Sequence, residues 1–154
     1  MPNNRSRLSA VLVSLMIAAC AICTACAREK HAMPTDAVDA RIVFADPRTV
    51  ALAEAVADGD VARIRTLAPG VDLSIRGDKN VTLLQWAVLN RSLAGMKALL
   101  DAGADPSQTG LDSDTVVHVA AMANDSAYLS ELLSRGVDPN VRNGESGAGP
   151  LRAA

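Results

Sequence analysis

The chain has 154 residues, a formal net charge of −2 and only 2% aromatic residues. This length allows one modest domain, and so few aromatic rings do not supply the large side chains on which most single globular cores depend. The weak negative charge excludes the broad basic surface that nucleic-acid binding requires, so no nucleic-acid partner is expected.

Residues 1–27 have the features of an export leader. Two arginines near the N-terminus precede an apolar run, Leu8–Ala19, and the next charged residue is Arg28. The uncharged stretch between Arg7 and Arg28 is long enough for a membrane-spanning helix. The short basic segment and the small residues after the apolar run favour a signal peptide instead.

All three cysteines lie in this leader, at Cys20, Cys23 and Cys26. A metal site is disfavoured because the segment is apolar and supplies no fourth ligand. The stretch that ends at Cys20 resembles the lipobox of bacterial lipoproteins, which implies lipid attachment at that cysteine. The stretch that ends at Cys26 is a second candidate, and the small residues around it also fit ordinary signal cleavage. The alternatives are thus lipid attachment at Cys20, lipid attachment at Cys26 and ordinary signal cleavage, and all three place the rest of the chain in the periplasm. Either lipid attachment would also anchor it to a bacterial membrane.

Residues 28–48 are predicted to form a flexible tether. The first part, Arg28–Asp39, is polar, lacks periodicity and contains Pro34. A short apolar stretch, Ile42–Phe44, follows it and is predicted to cover the open side of the first repeating unit, since terminal repeats otherwise expose an apolar face.

From about Val50 onward the sequence repeats itself. A threonine, a Leu-Leu pair and a Gly-x-Asp turn recur at a period of 33 residues, at Thr82/Thr115, Leu99/Leu132 and Asp105/Asp138. A more divergent copy precedes these two, and a fourth copy begins at Gly149. Such a period is the signature of stacked helical repeats.

Each copy is predicted to contain two short antiparallel helices with an apolar inner face. The inward positions follow the helical spacing of three and four residues. They are Leu52, Ala55, Val56, Ile64, Leu67 and Ala68 in the first copy, Leu84, Ala87, Val88, Met96, Leu99 and Leu100 in the second, and Val117, Ala120, Ala121, Leu129, Leu132 and Leu133 in the third.

The opening of the two clear copies, Thr82–Ala87 and Thr115–Ala120, resembles the T-P-L-H-x-A motif of the ankyrin repeat. The resemblance implies an all-α ankyrin-repeat solenoid, in which helix-turn-helix units are joined by β-turn loops. The implied domain covers residues 49–154, with about three full repeats at 50–81, 82–114 and 115–148 and a truncated fourth at 149–154.

Several residues depart from the ankyrin motif. Leu83 and Val116 replace its proline, Gln85 replaces its histidine in one copy, and Asn80 and Ser113 stand where a loop glycine is expected. Gln85 can still form a hydrogen bond to loop backbone. The unfinished fourth copy predicts either that the chain is a fragment or that a partner covers this end.

Residues that could support catalysis do not form a recognisable constellation. His118 lies at the histidine position of the motif, which favours a structural hydrogen bond. The acidic pair Asp112 and Asp114 lies at a turn and is expected to be solvated. Trp86 is either a packing residue or a binding hot spot. We therefore expect neither an enzyme, nor a metal site, nor a cofactor.

The ankyrin resemblance implies that a partner binds the concave face, which the loop tips and the exposed ends of the first helices form. The predicted partner-binding residues are Asp78, Lys79, Leu89, Asn90, Leu111, Asp112, Asp114, Met122 and Ala123. Leu111 and Met122 are apolar at positions expected to be exposed, which favours a contact role.

The sequence thus predicts an exported protein-binding module on the periplasmic side of a bacterial membrane. Residues 44–47, 51–60 and 82–88 are similar to short ankyrin lipoproteins of Gram-negative bacteria, which implies an immunity protein against a secreted antibacterial effector such as a lipase. The alternative is a structural or envelope stress-protection protein that supports a periplasmic enzyme.

Overall fold

The computed structural model describes residues 38–142, together with residues 147, 149 and 150. The predicted leader, both candidate lipid-attachment sites at Cys20 and Cys26, and the first part of the predicted tether lie outside the described residues. The described part contains seven α-helices: α1 (Ala40–Val43), α2 (Pro47–Asp58), α3 (Val61–Leu67), α4 (Leu83–Leu89), α5 (Leu93–Asp101), α6 (Val116–Met122) and α7 (Ser126–Ser134).

The helices α2 to α7 form three consecutive pairs, one in each repeat. Tight turns at Gly59–Asp60, Asn90–Ser92 and Ala123–Asp125 reverse the chain between the two helices of a pair. The first helices α2, α4 and α6 pack on one another in one layer, and the second helices α3, α5 and α7 form the other. This all-α stack is the solenoid that the repeated sequence predicted.

Side-chain caps determine where most of these helices begin. The Asp46 carboxylate accepts a hydrogen bond from the Thr49 backbone N–H at 2.9 Å, and Pro47 occupies the first helical position of α2. Both features suit a helix start, where backbone N–H groups lack helical partners. Gly59, in a left-handed conformation with φ of 67°, then ends α2.

The predicted inward positions largely form the core. Leu52, Ile64, Leu99 and Leu132 are fully buried, and the other predicted positions are buried or half-buried apart from Leu133. Leu133 is 40% exposed because α7 is the last described helix of its layer, so the prediction was wrong there.

The short helix α1 lies inside the segment predicted to be a tether. Phe44, which follows α1, is buried and meets the Trp86 ring edge-on, with 5.7 Å between the ring centroids. Ile42 is 73% exposed. The predicted covering role is therefore confirmed for Phe44 and wrong for Ile42, because the turn of α1 directs the two side chains to different surroundings.

The loop tips before α4 and α6 share one backbone geometry. At each tip the backbone N–H of a glycine donates to the carbonyl four residues later, from Gly77 at 2.9 Å and from Gly110 at 2.8 Å. Two consecutive left-handed residues close each tip, Lys79 and Asn80 in one, Asp112 and Ser113 in the other. The geometry of a tight hairpin turn is thus kept, although glycine would adopt these angles at lower cost.

Candidate protein-binding surface

Gln85 fixes the position of the second loop tip relative to α4. Its Oε1 accepts from the backbone N–H of Thr82 at 3.2 Å and from that of Leu111 at 3.0 Å. Its Nε2 donates to the Asp114 carbonyl at 2.9 Å. The side chain is fully buried, so these bonds are shielded from water. The predicted hydrogen bond to loop backbone is confirmed, and it joins α4 to the loop tip that precedes α6.

His118 occupies the equivalent place in the third repeat. Its Nδ1 lies 3.0 Å from the Thr115 hydroxyl and 3.4 Å from the Thr115 backbone N, and the ring is fully buried. This geometry caps α6. The predicted structural role of His118 is therefore confirmed.

Trp86 belongs to the interior of the stack. Its indole Nε1 donates to the Ala53 carbonyl at 2.9 Å, and the residue is only 4% exposed. Of the two roles that the sequence left open, packing is the one that the structure supports.

An open groove of about 600 Å³ lies along the edge of the stack at which the first helices α4 and α6 end. It is lined by residues at the ends of α4 and α6, by the turns that follow them and by one residue of α7. These are Val88, Leu89, Arg91, Val119, Met122, Ala123, Asn124, Asp125 and Tyr128. A groove of this size and composition falls within the range of ligand-binding sites in proteins.

Two exposed apolar side chains dominate the groove. Leu89 is the last residue of α4 and Met122 the last residue of α6, one repeat period apart, and each is 52% exposed. Large apolar side chains that stay exposed next to one another are typical of interaction surfaces. Both were predicted to contact a partner.

Arg91 stands at the rim of the groove in a strained backbone conformation. Its φ of 55° lies in the left-handed region, and the corresponding turn of the first repeat uses Gly59 with φ of 67°. Burial, and to a lesser degree the negative charge of Asp125, raises the pKa of Tyr128, whereas the positive charge of Arg91 lowers it. The groove therefore combines an apolar floor with charges of both signs.

The predicted contact residues separate into two groups. Asp78, Lys79 and Asp112 are exposed at the loop tips, which lie next to each other at the start of α4 and α6. Leu89 and Met122 lie at the opposite ends of these helices, about 10 Å away by the rise of a seven-residue helix. One compact ligand side chain cannot contact both groups.

The remaining predicted contact residues are less accessible. Asn90, Leu111 and Ala123 are half-buried, and Asn90 uses its side-chain amide to donate to the Trp86 carbonyl at 2.9 Å. Asp114 is only 9% exposed, and its backbone carbonyl accepts from both Gln85 and Gly110. The prediction that Asp114 is solvated at the loop tip was therefore wrong.

Five groove residues were missed from the sequence: Arg91, Val119, Asn124, Asp125 and Tyr128. Arg91 could have been found, since aligning the repeats places it opposite Gly59, where a side chain is costly. Tyr128 could not, because its spacing in α7 is that of an ordinary core residue.

Neither a membrane span nor a metal site is found where the structure can be described. Among residues 38–142, none of the helices has the length and apolar character to cross a bilayer. The same part of the chain brings together no cluster of three or more histidine, cysteine, aspartate or glutamate side chains that could hold a metal ion.

Comparison with known protein families agrees with the repeat geometry. The family model described as ankyrin repeats (3 copies) matches residues 52–143. This chain belongs to the ankyrin repeat family. Ankyrin repeats form a non-catalytic interaction fold, so the chain carries a protein-interaction module.

Curated relatives share the repeat region. Protein PhlB of Serratia liquefaciens is 51% identical over 105 residues, which cover 68% of this chain and 46% of that protein. Palmitoyltransferase ZDHHC17 of Rattus norvegicus is 31% identical over 102 residues, which cover 65% of this chain and 16% of that protein. The match thus spans less than half of these relatives, and the transferase name describes the longer protein.

Proposed function

We propose that this ankyrin protein is exported and lipid-anchored, and that it binds a partner protein on the periplasmic side of a bacterial membrane. The observation that carries the binding role is the exposed apolar pair Leu89 and Met122 in the groove. Burial of half-exposed side chains of this size contributes about 1 kcal/mol each to association.

Export and anchoring are supported by the leader. The basic N-terminus, the apolar run and the cysteines at positions 20 and 26 together have the pattern of a lipoprotein signal. Labelling of the chain with a radioactive fatty acid in Escherichia coli tests this part. Cys20→Ser or Cys26→Ser should abolish the label, and a chain that stays unlabelled and cytoplasmic would contradict it.

The finer proposal is an immunity protein that binds and blocks a secreted antibacterial effector. It is supported by the resemblance of residues 44–47, 51–60 and 82–88 to short bacterial ankyrin lipoproteins, and by 51% identity to a bacterial protein over the repeats. Co-expression of the chain with a periplasm-directed product of each neighbouring gene should rescue growth in one case. Toxicity without rescue by any pairing would contradict immunity.

Matched variants connect rescue to the surface. Leu89→Asp combined with Met122→Asp should lower affinity for the rescued effector at least about tenfold, since each charge must be buried on binding. Val38→Asp combined with Ile42→Asp is the control, because it places the same two charges on apolar residues that are 57% and 73% exposed outside the groove. Equal affinity of both proteins would place binding elsewhere.

The alternative role, support of a periplasmic enzyme during envelope stress, predicts a different outcome. Loss of the gene would then sensitise cells to detergent in the absence of any toxin, and rescue experiments would be negative.

A further inference from the structure

The two charged side chains that line the groove, Asp125 and Arg91, differ in the contacts that they make. Asp125 caps α7, where its carboxylate accepts from the Ala127 backbone N–H at 2.9 Å. Its negative charge is thereby stabilised within its own repeat. Arg91 also lines the groove, and within residues 38–142 its guanidinium makes no ion pair shorter than 4.0 Å. The Asp125 carboxylate keeps its negative charge but already accepts a hydrogen bond, whereas the Arg91 guanidinium is open to a carboxylate that a partner brings.

Arg91 also occupies a position where an arginine is costly. A non-glycine residue in the left-handed region costs about 1 kcal/mol or more in backbone strain. The first repeat avoids this cost with Gly59, in the same turn. At this position the arginine lines the groove together with the exposed side chains of Leu89 and Met122.

We propose that the groove binds a partner segment in which an acidic side chain lies next to a large apolar one. The apolar side chain packs between Leu89 and Met122, and Arg91 forms a charge-assisted pair with the carboxylate. This inference rests on the proposed function and specifies the chemistry of the partner's contact segment.

Two peptide probes test the proposal directly. Both are short amphipathic peptides, fluorescein-labelled and amidated at the C-terminus. They differ only in a glutamate or a glutamine beside a Leu-Leu pair. Fluorescence anisotropy with the full chain should show about tenfold tighter binding of the glutamate peptide. Arg91→Gln should remove this preference, while Arg65→Gln, which removes an exposed charge from α3, should leave it unchanged.

Arg91→Gly separates recognition from folding. It should raise the urea midpoint of unfolding by relieving strain, and at the same time abolish the preference for the glutamate peptide. A purely structural arginine would not give opposite effects on stability and binding. Leu89→Ser should weaken both peptides to a similar degree, because it removes apolar contact and leaves the charge in place.

Three results would overturn the inference: no binding of the glutamate peptide, equal affinity for both peptides, or a preference that survives in Arg91→Gln. Displacement of the bound peptide by octanoate at equal concentration would instead identify a site for fatty acids, and would also overturn it.

If a partner protein binds with full affinity to Arg91→Gln, the groove chemistry is wrong and the proposed binding role stands. If no partner protein binds, the proposed function itself fails.

Discussion

At the scale of single residues, this fold depends on a few polar side chains that hold the loops in place. Gln85 uses both ends of its amide, since Oε1 accepts two backbone N–H groups and Nε2 reaches the Asp114 carbonyl. The Thr82 N–H is buried and the Leu111 N–H is partly buried, so both lose their partner when the side chain is shortened, whereas the Asp114 carbonyl keeps its bond from Gly110.

Gln85→Ala should therefore destabilise the protein by about 3 kcal/mol, since it leaves the backbone N–H groups of Thr82 and Leu111 without a partner. Gln85→His is the matched control, because His118 fills the equivalent position in the next repeat with an acceptor at Nδ1. Urea denaturation followed by circular dichroism measures both. A loss below 1 kcal/mol for the alanine variant would show that water replaces the amide.

Ser113 presents the opposite case, a residue that the fold tolerates at some cost. Its φ of 60° is one that glycine adopts freely. Ser113→Gly removes this backbone strain, although the greater conformational freedom of glycine in the unfolded chain offsets part of the gain. The net effect should be a stabilisation of about 0.5–1 kcal/mol.

Ser107→Gly is the control for Ser113→Gly. The Ser107 hydroxyl donates to Asp105 at 2.6 Å, so its removal should lower stability. Thermal melts of the two variants should shift in opposite directions, and a shift of the same sign would show that strain at Ser113 is negligible.

At the scale of the elements, the helices pack so closely in places that a methyl group has no room. A Cβ added at Gly95 in α5 would lie 2.3 Å from the Val56 carbonyl oxygen of α2. This oxygen belongs to the backbone and cannot rotate away. The contact therefore sets the distance between the first two repeats.

Gly95→Ala should destabilise the protein by about 2–4 kcal/mol, because the two helices must separate and lose contacts along their length. Gly70→Ala is the control, since nothing lies within 4 Å of a Cβ at that position. Comparison of the urea midpoints tests this, and equal midpoints would mean that α5 shifts without cost.

Much of the helical stack could be predicted from the sequence, and the surface much less. The burial of Leu52, Leu99 and Leu132 could be predicted from the repeat period of this single sequence, because every repeat buries the same helix faces. The burial of Asp114 depends on a hydrogen bond from Gln85, 29 residues away, and the groove depends on side chains from two repeats. Such contacts are set by stacking and have no local pattern.

At the scale of the whole molecule, a row of aspartates repeats along the loops. At two of them, Asp72 and Asp105, the hydroxyl and the backbone N–H of the serine two residues later lower the pKa of the carboxyl group. A lowered pKa in the folded state adds stability above the unfolded value, which is about 4. This stability is lost as the pH falls from there through the folded value.

The free energy of unfolding should accordingly be constant near neutral pH and fall below about pH 4. In Asp72→Asn combined with Asp105→Asn, the decline should be shallower, because two of the linked carboxylates are gone. Urea titrations across this pH range measure the slope. An unchanged slope in the double variant would assign the acid sensitivity to other carboxylates, such as Glu131, whose pKa is lowered chiefly by Arg135 and also by Lys97.

The groove takes Leu89 from one repeat and Met122 from the next, so it exists only while these two repeats remain stacked. Each repeat of a solenoid contacts only its neighbours, so the interface between two repeats can open locally. A bound partner would therefore hold the second and third repeats together. At a partner concentration of a hundred times the Kd, it would raise the free energy of opening the third repeat by about 2.7 kcal/mol. Amide hydrogen exchange in α6 and α7 would slow on binding. Exchange in α2, which lies farther from the groove, would serve as the internal reference.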